Sequence, residues 1–262
     1  MNGKILNKQA FPSPHPDVDL WLVTYLSEGL KVKGLLAKPK ITGVLDGFLY
    51  LRGGIKNVGK VRPARITQMA SHGFVVFAPF YRGNQGGEGN EDFAGEDRAD
   101  AVSGFQLLKQ DPNVDPEKIH VFGFSRGGVM ALFTGIECPE VASIVTWGGV
   151  SDMVLTYSER KDLRRMMKRV IGGSPTKVPE LYRFRTPIYD IDHIQSPVLI
   201  IHGQNDQNVT VHHAHRLEGA LKRANKQVET WLFDEYTHYF PPKVNRQIVT
   251  DFCTWMKKQV TV

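Results

Sequence analysis

Length, composition and charge restrict what this chain can be. Its 262 residues are enough for one large domain with a buried core, and 41% of them are hydrophobic, as in ordinary globular proteins. The longest apolar run, residues 73–80, is far too short to span a bilayer. The net charge of +6 comes with no nucleic-acid-binding motif, so we expect neither a membrane nor a nucleic acid as a partner.

The N-terminal segment and the cysteines bear on the location of the protein. Residues 1–9 contain no apolar segment, so we expect no secretory signal. The 2 cysteines, Cys138 and Cys253, make no disulfide framework and favour reduced thiols. The sequence shows no cluster of metal-ligating side chains, and we expect the protein to need no cofactor. These features favour a cytoplasmic protein and leave open its assembly into a homo-oligomer.

The apolar pattern predicts the order of the structural elements. Residues 19–26 and 30–37 alternate and flank a turn at 27–29, which predicts an antiparallel start. Later apolar runs of strand length are interrupted by predicted helices, and this alternation predicts an α/β fold with a mostly parallel sheet and helices on both faces. We treat residues 1–262 as a single domain. The later predicted strands are 47–51, 73–80, 119–122, 141–147, 197–201 and 228–233, and the predicted helices include 61–72, 96–110 and 211–225.

A serine motif lies between one of these strands and a helix. Residues 123–128 read Gly-Phe-Ser-Arg-Gly-Gly and follow the strand at 119–122. Strand, Gly-x-Ser-x-Gly and helix in this order are typical of a nucleophile elbow, in which glycines leave room for a sharp turn that exposes the serine. We therefore predict Ser125 as the nucleophile and the Arg126 backbone N–H as an oxyanion donor. The alternative is a glycine-rich turn that merely contains a serine.

A serine hydroxyl needs a base and an acid, and α/β hydrolases place them after the serine in the order acid, histidine. The loop after the strand at 197–201 contains Asp206, and the loop after the strand at 228–233 contains His238. Chain order and loop position therefore agree for both residues. We predict Asp206 as the acid and His238 as the base.

Other residues are weaker candidates for these two roles. Asp152 follows the strand at 141–147 and is the alternative acid, whereas Asp234 is too close to His238 to come from a separate strand. We expect His202 to pack or to form a hydrogen bond at the end of its strand. The histidines of the helix at 211–225 are expected on its surface: His212, His213 and His215.

A second oxyanion donor is predicted where the strand at 47–51 ends in Arg52-Gly53-Gly54. Glycines let backbone N–H groups approach a substrate oxygen. The donor is the Gly53 amide, the Gly54 amide or the Arg52 guanidinium, and the sequence does not separate them. Arg52 is also a candidate for binding a substrate carboxylate, or for pairing with an acid such as Glu88 or Asp92.

Four stretches together carry a family resemblance. They are residues 52–54, 81–89, 123–128 and 202–206, the last of which reads His-Gly-x-x-Asp. In these stretches the chain resembles the catalytic domain of the prolyl oligopeptidase family of serine hydrolases. The resemblance implies an α/β-hydrolase fold with an eight-stranded, mostly parallel sheet, and the hydrolysis of peptide, amide or ester bonds. The chain departs from the family in having no room for its β-propeller, and in having Arg52 where the family has tyrosine or histidine.

Two further segments are assigned to substrate contact. The loop at 81–89 is too glycine-rich for regular structure, and we interpret it, beginning with Tyr81, as a wall beside the active site. A helical insertion is predicted at about residues 151–195, where Met166 and Met167 lie on the apolar side of a basic amphipathic helix. This helix is either a solvated surface helix or a cap whose methionines contact an acyl or side-chain group of the substrate.

These residues predict a serine hydrolase for small substrates. His238 would accept the Ser125 proton, Asp206 would orient the imidazole, and water would hydrolyse the acyl-enzyme. The triad alone does not separate a peptidase acting on short peptides from a carboxylesterase acting on small esters. A non-catalytic binding protein on the same fold is the alternative from another functional class.

Overall fold

One mixed sheet organises the structure. The computed structural model describes residues 1–259, and nine strands within this range pair in the order β1-β2-β3-β5-β4-β6-β7-β8-β9. Neighbours from β1 to β5 pair antiparallel, and neighbours from β5 to β9 pair parallel. The strands are β1 (Ile5–Phe11), β2 (Val18–Ser27), β3 (Leu30–Pro39), β4 (Leu45–Leu51), β5 (Phe74–Pro79), β6 (Val114–Phe124), β7 (Ser143–Trp147), β8 (Val198–Gly203) and β9 (Val228–Phe233).

The predicted α/β fold is confirmed, but the described chain has one strand more than the eight expected. The additional strand is β1, which pairs with β2 at the edge of the sheet. All of its residues are exposed, so it shows no alternation of buried and solvated positions that a sequence pattern could detect. Because the strands of residues 1–259 form one sheet, we propose that they belong to a single domain; residues 260–262 of the predicted domain lie outside the described residues.

The helices cover both faces of the sheet. Successive side chains of a strand point to opposite faces, so Phe77 and Val121 pack on one side while Val76 and Phe122 pack on the other. The first face is covered mainly by α2, α3 and α7, and the second by α1 and α8. The helices are α1 (Pro63–Ala70), α2 (Arg98–Lys109), α3 (Gly127–Glu137), α4 (Met153–Glu159), α5 (Arg164–Ile171), α6 (Pro179–Arg183), α7 (His212–Arg223) and α8 (Pro242–Lys258).

The segment between β7 and β8 forms the predicted helical insertion. It contains α4, α5, α6 and two 3₁₀ turns, at Lys161–Leu163 and Pro187–His193. Met167 is completely buried in the core, whereas Lys168 and Arg169 of the same helix are exposed, as expected for a surface helix with a solvated basic side. The partly buried Met166 packs against the same core, and the substrate contact of both methionines stays a prediction. No helix within residues 1–259 is long and apolar enough to cross a membrane.

Candidate active site

A strained turn carries Ser125 at the C-terminal end of β6. Ser125 has a φ of 56°, in the left-handed region that a residue with a side chain rarely adopts. Its N–H donates to the Trp147 carbonyl at 3.1 Å, and its own carbonyl accepts from the N–H groups of Gly128 and Val150, each at 2.9 Å. Such a conformation costs about 1–3 kcal/mol and persists only where the surroundings fix it, as these three hydrogen bonds do here.

The glycines beside Ser125 are required by close backbone packing. A Cβ atom on Gly123 would overlap the carbonyl of Gly127, and one on Gly127 would overlap the carbonyl of Leu51. Neither obstacle is a movable side chain, so no other residue fits without a backbone shift. The pattern of glycines two before and two after the serine therefore follows from the geometry of the turn.

Asp206 and His238 meet beside this turn. His238 Nδ1 lies 2.7 Å from Asp206 Oδ2, and Asp206 Oδ1 accepts from the N–H groups of Asn208 and Val209 at 2.8 and 2.9 Å. Both side chains are nearly buried, at 4% and 5% exposed. With its Nδ1–H donated to the carboxylate, the imidazole keeps Nε2 free to accept a proton.

The end of β7 brings this pair to the serine. The Trp147 carbonyl accepts from Ser125, and the next residue, Gly148, lies against both members of the pair. A Cβ atom on Gly148 would come within 3.1 Å of His238 Nδ1 and 3.3 Å of Asp206 Oδ2. Gly148 was not predicted as a site residue, although a Gly-Gly pair directly after a buried strand indicates a close backbone approach.

The alternative acids have other partners. Asp152 caps α4 by accepting from the N–H groups of Val154 and Leu155, and its second oxygen accepts from Arg216 at 2.6 Å. Asp234 accepts from the side chain of Gln204. Within residues 1–259, Asp206 is thus the carboxylate that the structure brings to His238.

Two backbone N–H groups beside the serine have no hydrogen-bond acceptor within residues 1–259. A Cβ atom on Gly53 would lie only 2.6 Å from the Ser125 Cβ, so the Gly53 backbone packs directly against the serine. Within the described part of the chain, neither the Gly53 N–H nor the Arg126 N–H has a protein acceptor. Gly54 instead belongs to a tight turn, where its φ is 67° and a Cβ atom would overlap the Val58 carbonyl.

Comparisons with known proteins agree with this fold. The model of the prolyl oligopeptidase family (Peptidase_S9) matches residues 60–262. The uncharacterised peptidase YtmA of Bacillus subtilis (strain 168) is 64% identical over 256 residues, which are 97% of this chain and 100% of that protein. The chain belongs to the prolyl oligopeptidase family. The family and this named peptidase relative confirm the prediction that it is a serine hydrolase.

Two solved structures show how far the fold is shared. The acylaminoacyl peptidase of Pyrococcus horikoshii superposes with a TM-score of 0.80 at 22% identity, over 98% of this chain and 42% of that one. Acetyl xylan esterase 1 of Thermoanaerobacterium sp. JW/SL YS485 superposes with a TM-score of 0.77 at 15% identity, over 98% of this chain and 89% of that one. At these identities the likeness concerns the fold alone. This member of the family spans less than half of the Pyrococcus peptidase.

Arg52, where the family has tyrosine or histidine, is held in the interior of this member. It is 3% exposed and donates to both oxygens of Glu91 at 3.1 Å, to the Phe80 carbonyl at 3.0 Å and to the Gly53 carbonyl at 3.0 Å. Its acid is therefore neither of the two that the sequence suggested. The guanidinium N–H groups already donate to these acceptors, so no pair of them is free to bind a substrate carboxylate. We therefore interpret Arg52 as a structural residue.

The predicted partners of Arg52 have their own contacts. Glu88 accepts from the Lys31 N–H at 2.8 Å, and Asp92 pairs with Arg185 of the insertion at 3.1 Å. Glu91 was missed because several acids follow the strand in one glycine-rich loop, and sequence spacing does not tell which of them turns inward.

The Glu91 carboxylate is shared by two buried arginines. Besides Arg52 it binds the guanidinium of Arg126, and it accepts from the Lys56 N–H at 2.7 Å and the Asn84 side-chain amide at 3.0 Å. Burial opposes the ionisation of Glu91, yet Arg126 and Arg52 together hold its pKa below the usual value. Arg126 also pairs with Asp97 at 3.0 Å, so the side chain of the predicted oxyanion residue is fixed from two sides.

Tyr81 belongs to the same buried cluster. Its ring centroid lies 5.0 Å from the Arg52 guanidinium carbon and 4.9 Å from that of Arg126, and its hydroxyl donates to the Arg52 carbonyl at 3.3 Å. Burial raises the pKa of Tyr81. The side chain is completely buried, and its substrate contact stays a prediction. The ring contacts both guanidinium groups at cation–π distance.

The histidines of α7 are not all on its surface. His212 and His215 are exposed as predicted, but His213 is 1% exposed. Its Nδ1 accepts from the Ser151 N–H at 3.2 Å, which joins α7 to the loop after β7. Burial lowers the pKa of His213 to about 3, so the ring is neutral when the protein is folded. His202 is also buried and donates from Nε2 to the Val209 carbonyl at 2.8 Å, as expected of a hydrogen-bonding residue.

The residues of the candidate site do not form a metal centre. Within residues 1–259, no group of three or more histidine, cysteine, aspartate or glutamate side chains is arranged to hold a metal ion.

Replacing Arg52 tests its structural role. We expect Arg52→Met to lower the free energy of unfolding by about 3 kcal/mol, because a buried pair loses one partner and the Phe80 carbonyl loses its donor. The kcat for a neutral ester, measured per folded molecule, should change by no more than a few-fold. Urea unfolding and steady-state kinetics measure the two effects, with the exposed Arg169→Met as the matched control. A hundredfold loss of kcat at unchanged stability would instead identify Arg52 as an oxyanion donor.

The pKa of His213 predicts a pH-dependent stability. Its folded value of about 3 lies below the ordinary 6.5, so the unfolded chain takes up a proton first as the pH falls. This residue should therefore cost the protein about 2 kcal/mol of stability between pH 7 and pH 5. Unfolding curves should show that His213→Gln loses about 2 kcal/mol less stability than the wild type over this pH range. The exposed His212→Gln should keep the full loss, and equal slopes for all three proteins would contradict the assignment.

Proposed function

We propose that this protein hydrolyses esters or short peptides through an acyl-enzyme on Ser125. The observation that carries the proposal is the His238–Asp206 pair, with Nδ1 and Oδ2 2.7 Å apart beside the left-handed turn of Ser125. A buried carboxylate that orients a histidine beside a serine is the arrangement that activates the serine hydroxyl.

The proposed mechanism uses the same groups in both half-reactions. His238 Nε2 accepts the hydroxyl proton while Ser125 Oγ attacks the carbonyl carbon, and Asp206 stabilises the imidazolium through Nδ1. The oxyanion accepts hydrogen bonds from the Arg126 and Gly53 N–H groups. His238 then gives the proton to the leaving amine or alkoxide. Water repeats the attack on the acyl-enzyme and releases the acid and the free serine.

The substrate class rests on weaker support than the reaction. The 64% identical Bacillus protein carries the name of a peptidase, which favours peptide substrates. The two structural neighbours are a peptidase and an esterase and share only the fold with this chain. We therefore propose short peptides and small activated esters as substrates. A panel of aminoacyl-p-nitroanilides and p-nitrophenyl esters separates the two activities.

The nucleophile is tested by substitution and covalent labelling. We expect Ser125→Ala to abolish labelling by a fluorophosphonate and to lower kcat by about 10³-fold or more, because the attacking oxygen is lost while the oxyanion donors remain. The exposed Ser158→Ala serves as the control and should label fully. If Ser125→Ala labels as strongly as the wild type, the nucleophile is another residue; if the wild type neither labels nor turns over any substrate, the chain is a binding protein on this fold.

The acid is tested by a pair of substitutions. Asp206→Asn should leave the protein folded but lower kcat by about 10³-fold, since an asparagine amide favours the wrong imidazole tautomer. Asp152→Asn is the matched control, because asparagine also caps a helix, and its kcat should stay within a few-fold of the wild type. The reverse result, an active Asp206→Asn and an inactive Asp152→Asn, would overturn the assignment.

A further inference from the structure

A cavity of about 200 Å³ lies at the end of the sheet where the active site is found. Its walls are apolar and include Phe11 of β1, Leu22 of β2, Leu35 of β3 and Phe80 directly after β5. Arg52, the first residue after β4, also lines it. In sheets of this kind ligands bind outside the carboxyl ends of the parallel strands, and the cavity lies at two such ends.

The cavity adjoins the proposed nucleophile. Arg52 precedes Gly53, whose backbone packs directly against Ser125. Consecutive Cα atoms are about 3.8 Å apart, so one peptide unit separates the cavity wall from the residue that contacts the serine. Neighbouring residues of one chain segment therefore line the cavity and contact the serine.

Two lysines give the cavity a positive rim. Lys56 and Lys60 line it, and both are exposed. Neither side chain has an acidic partner within residues 1–259, whereas the Arg52 guanidinium is bound to Glu91. The charges beneath the cavity are thus paired and those at its rim are not, so an incoming carboxylate would meet an uncompensated positive charge.

The two loops that form the rim have a fixed backbone conformation. Lys56 and Gln85 both line the cavity and both have a φ of 53°, a left-handed conformation that costs free energy for residues other than glycine. Glu91 holds both loops, because it accepts from the Lys56 N–H and from the side chain of Asn84. Backbone strain of this kind persists only where the surroundings fix it, and it is concentrated at ligand-binding positions.

We propose that this cavity binds the carboxylate-bearing end of an acidic substrate whose scissile carbonyl lies at Ser125. The inference rests on the proposed hydrolase function and names its preferred substrate class. A cavity of about 200 Å³ has room for several water-sized groups. The substrate therefore has a compact apolar stem that fills the cavity and a carboxylate that reaches Lys56 and Lys60. Two residues lie between Gly53 and Lys56, and the three peptide units that join them span at most about 11 Å, which a stem of this size can bridge.

A matched pair of esters tests the proposal. The p-nitrophenyl monoester of octanedioic acid carries a free carboxylate, and its methyl ester at the far end is neutral with the same stem. We expect the acidic ester to have a KM about tenfold lower, since each lysine–carboxylate pair accounts for up to about fivefold. In Lys56→Met/Lys60→Met the ratio of the two KM values should approach one.

A charge-matched variant excludes a general effect of net charge. Lys4→Met/Lys258→Met removes two exposed lysines that do not line the cavity, and it should keep the wild-type ratio. Equal KM values for the two esters in the wild type would overturn the proposal. It would also be overturned if both double variants lost the preference equally.

A binding measurement separates this proposal from the proposed hydrolysis. Calorimetric titration of Ser125→Ala with hexanoate and with hexanamide needs no turnover. Hexanoate should bind more tightly than hexanamide, and adding Lys56→Met/Lys60→Met should weaken hexanoate binding about tenfold. If no ester is hydrolysed but this dependence is found, the hydrolase function fails and the carboxylate site stands. If hexanoate and hexanamide bind equally, or the lysine substitutions change nothing, the carboxylate site is wrong.

Discussion

The buried carboxylate of Glu91 is the interaction on which the active-site end of this molecule depends. An ionised carboxylate is tolerated in an interior only when it is paired and hydrogen bonded. Glu91 meets this condition by binding the guanidinium groups of Arg52 and Arg126 together with the Lys56 N–H. Arg52 and Lys56 follow β4 and Arg126 lies in the serine turn after β6, so this side chain of the loop after β5 joins three parts of the chain.

The contribution of this cluster to stability depends on keeping all of its partners. Replacing a buried ion pair by well-packed apolar residues is often neutral or stabilising, whereas removing one partner is costly. Burial raises the pKa of Asp97, the second partner of Arg126, to about 7, which shows how poorly this interior accommodates charge. Arg126 is held by Glu91 and Asp97 on two sides, directly after Ser125 with its left-handed backbone.

The parts of the site that the sequence predicted are those that local chemistry determines. The turn at Ser125 needs glycines at fixed offsets, and the positions of Asp206 and His238 follow from chain order and strand ends. The parts it missed depend on tertiary packing. Glu91 is one of several acids in an irregular loop, His213 differs from its exposed neighbours only in which side of α7 meets the core, and β1 buries none of its residues. No hydrophobic periodicity in the sequence indicates any of these three features.

Arg52 illustrates why a departure from a family pattern must be judged with its partners. A tyrosine at this position, as the family resemblance implies, would offer one donor and no charge, and Glu91 would then depend on Arg126 alone. Arg52 instead pairs with Glu91 and donates its other hydrogen bonds to carbonyls such as those of Phe80 and Gly53. The arginine has no free donor for a substrate, and we propose the Gly53 backbone N–H as the second oxyanion donor. In this proposal the exchange at one position moves a catalytic contact from a side chain to the main chain, and Lys56 and Lys60 are the charges that a substrate can meet.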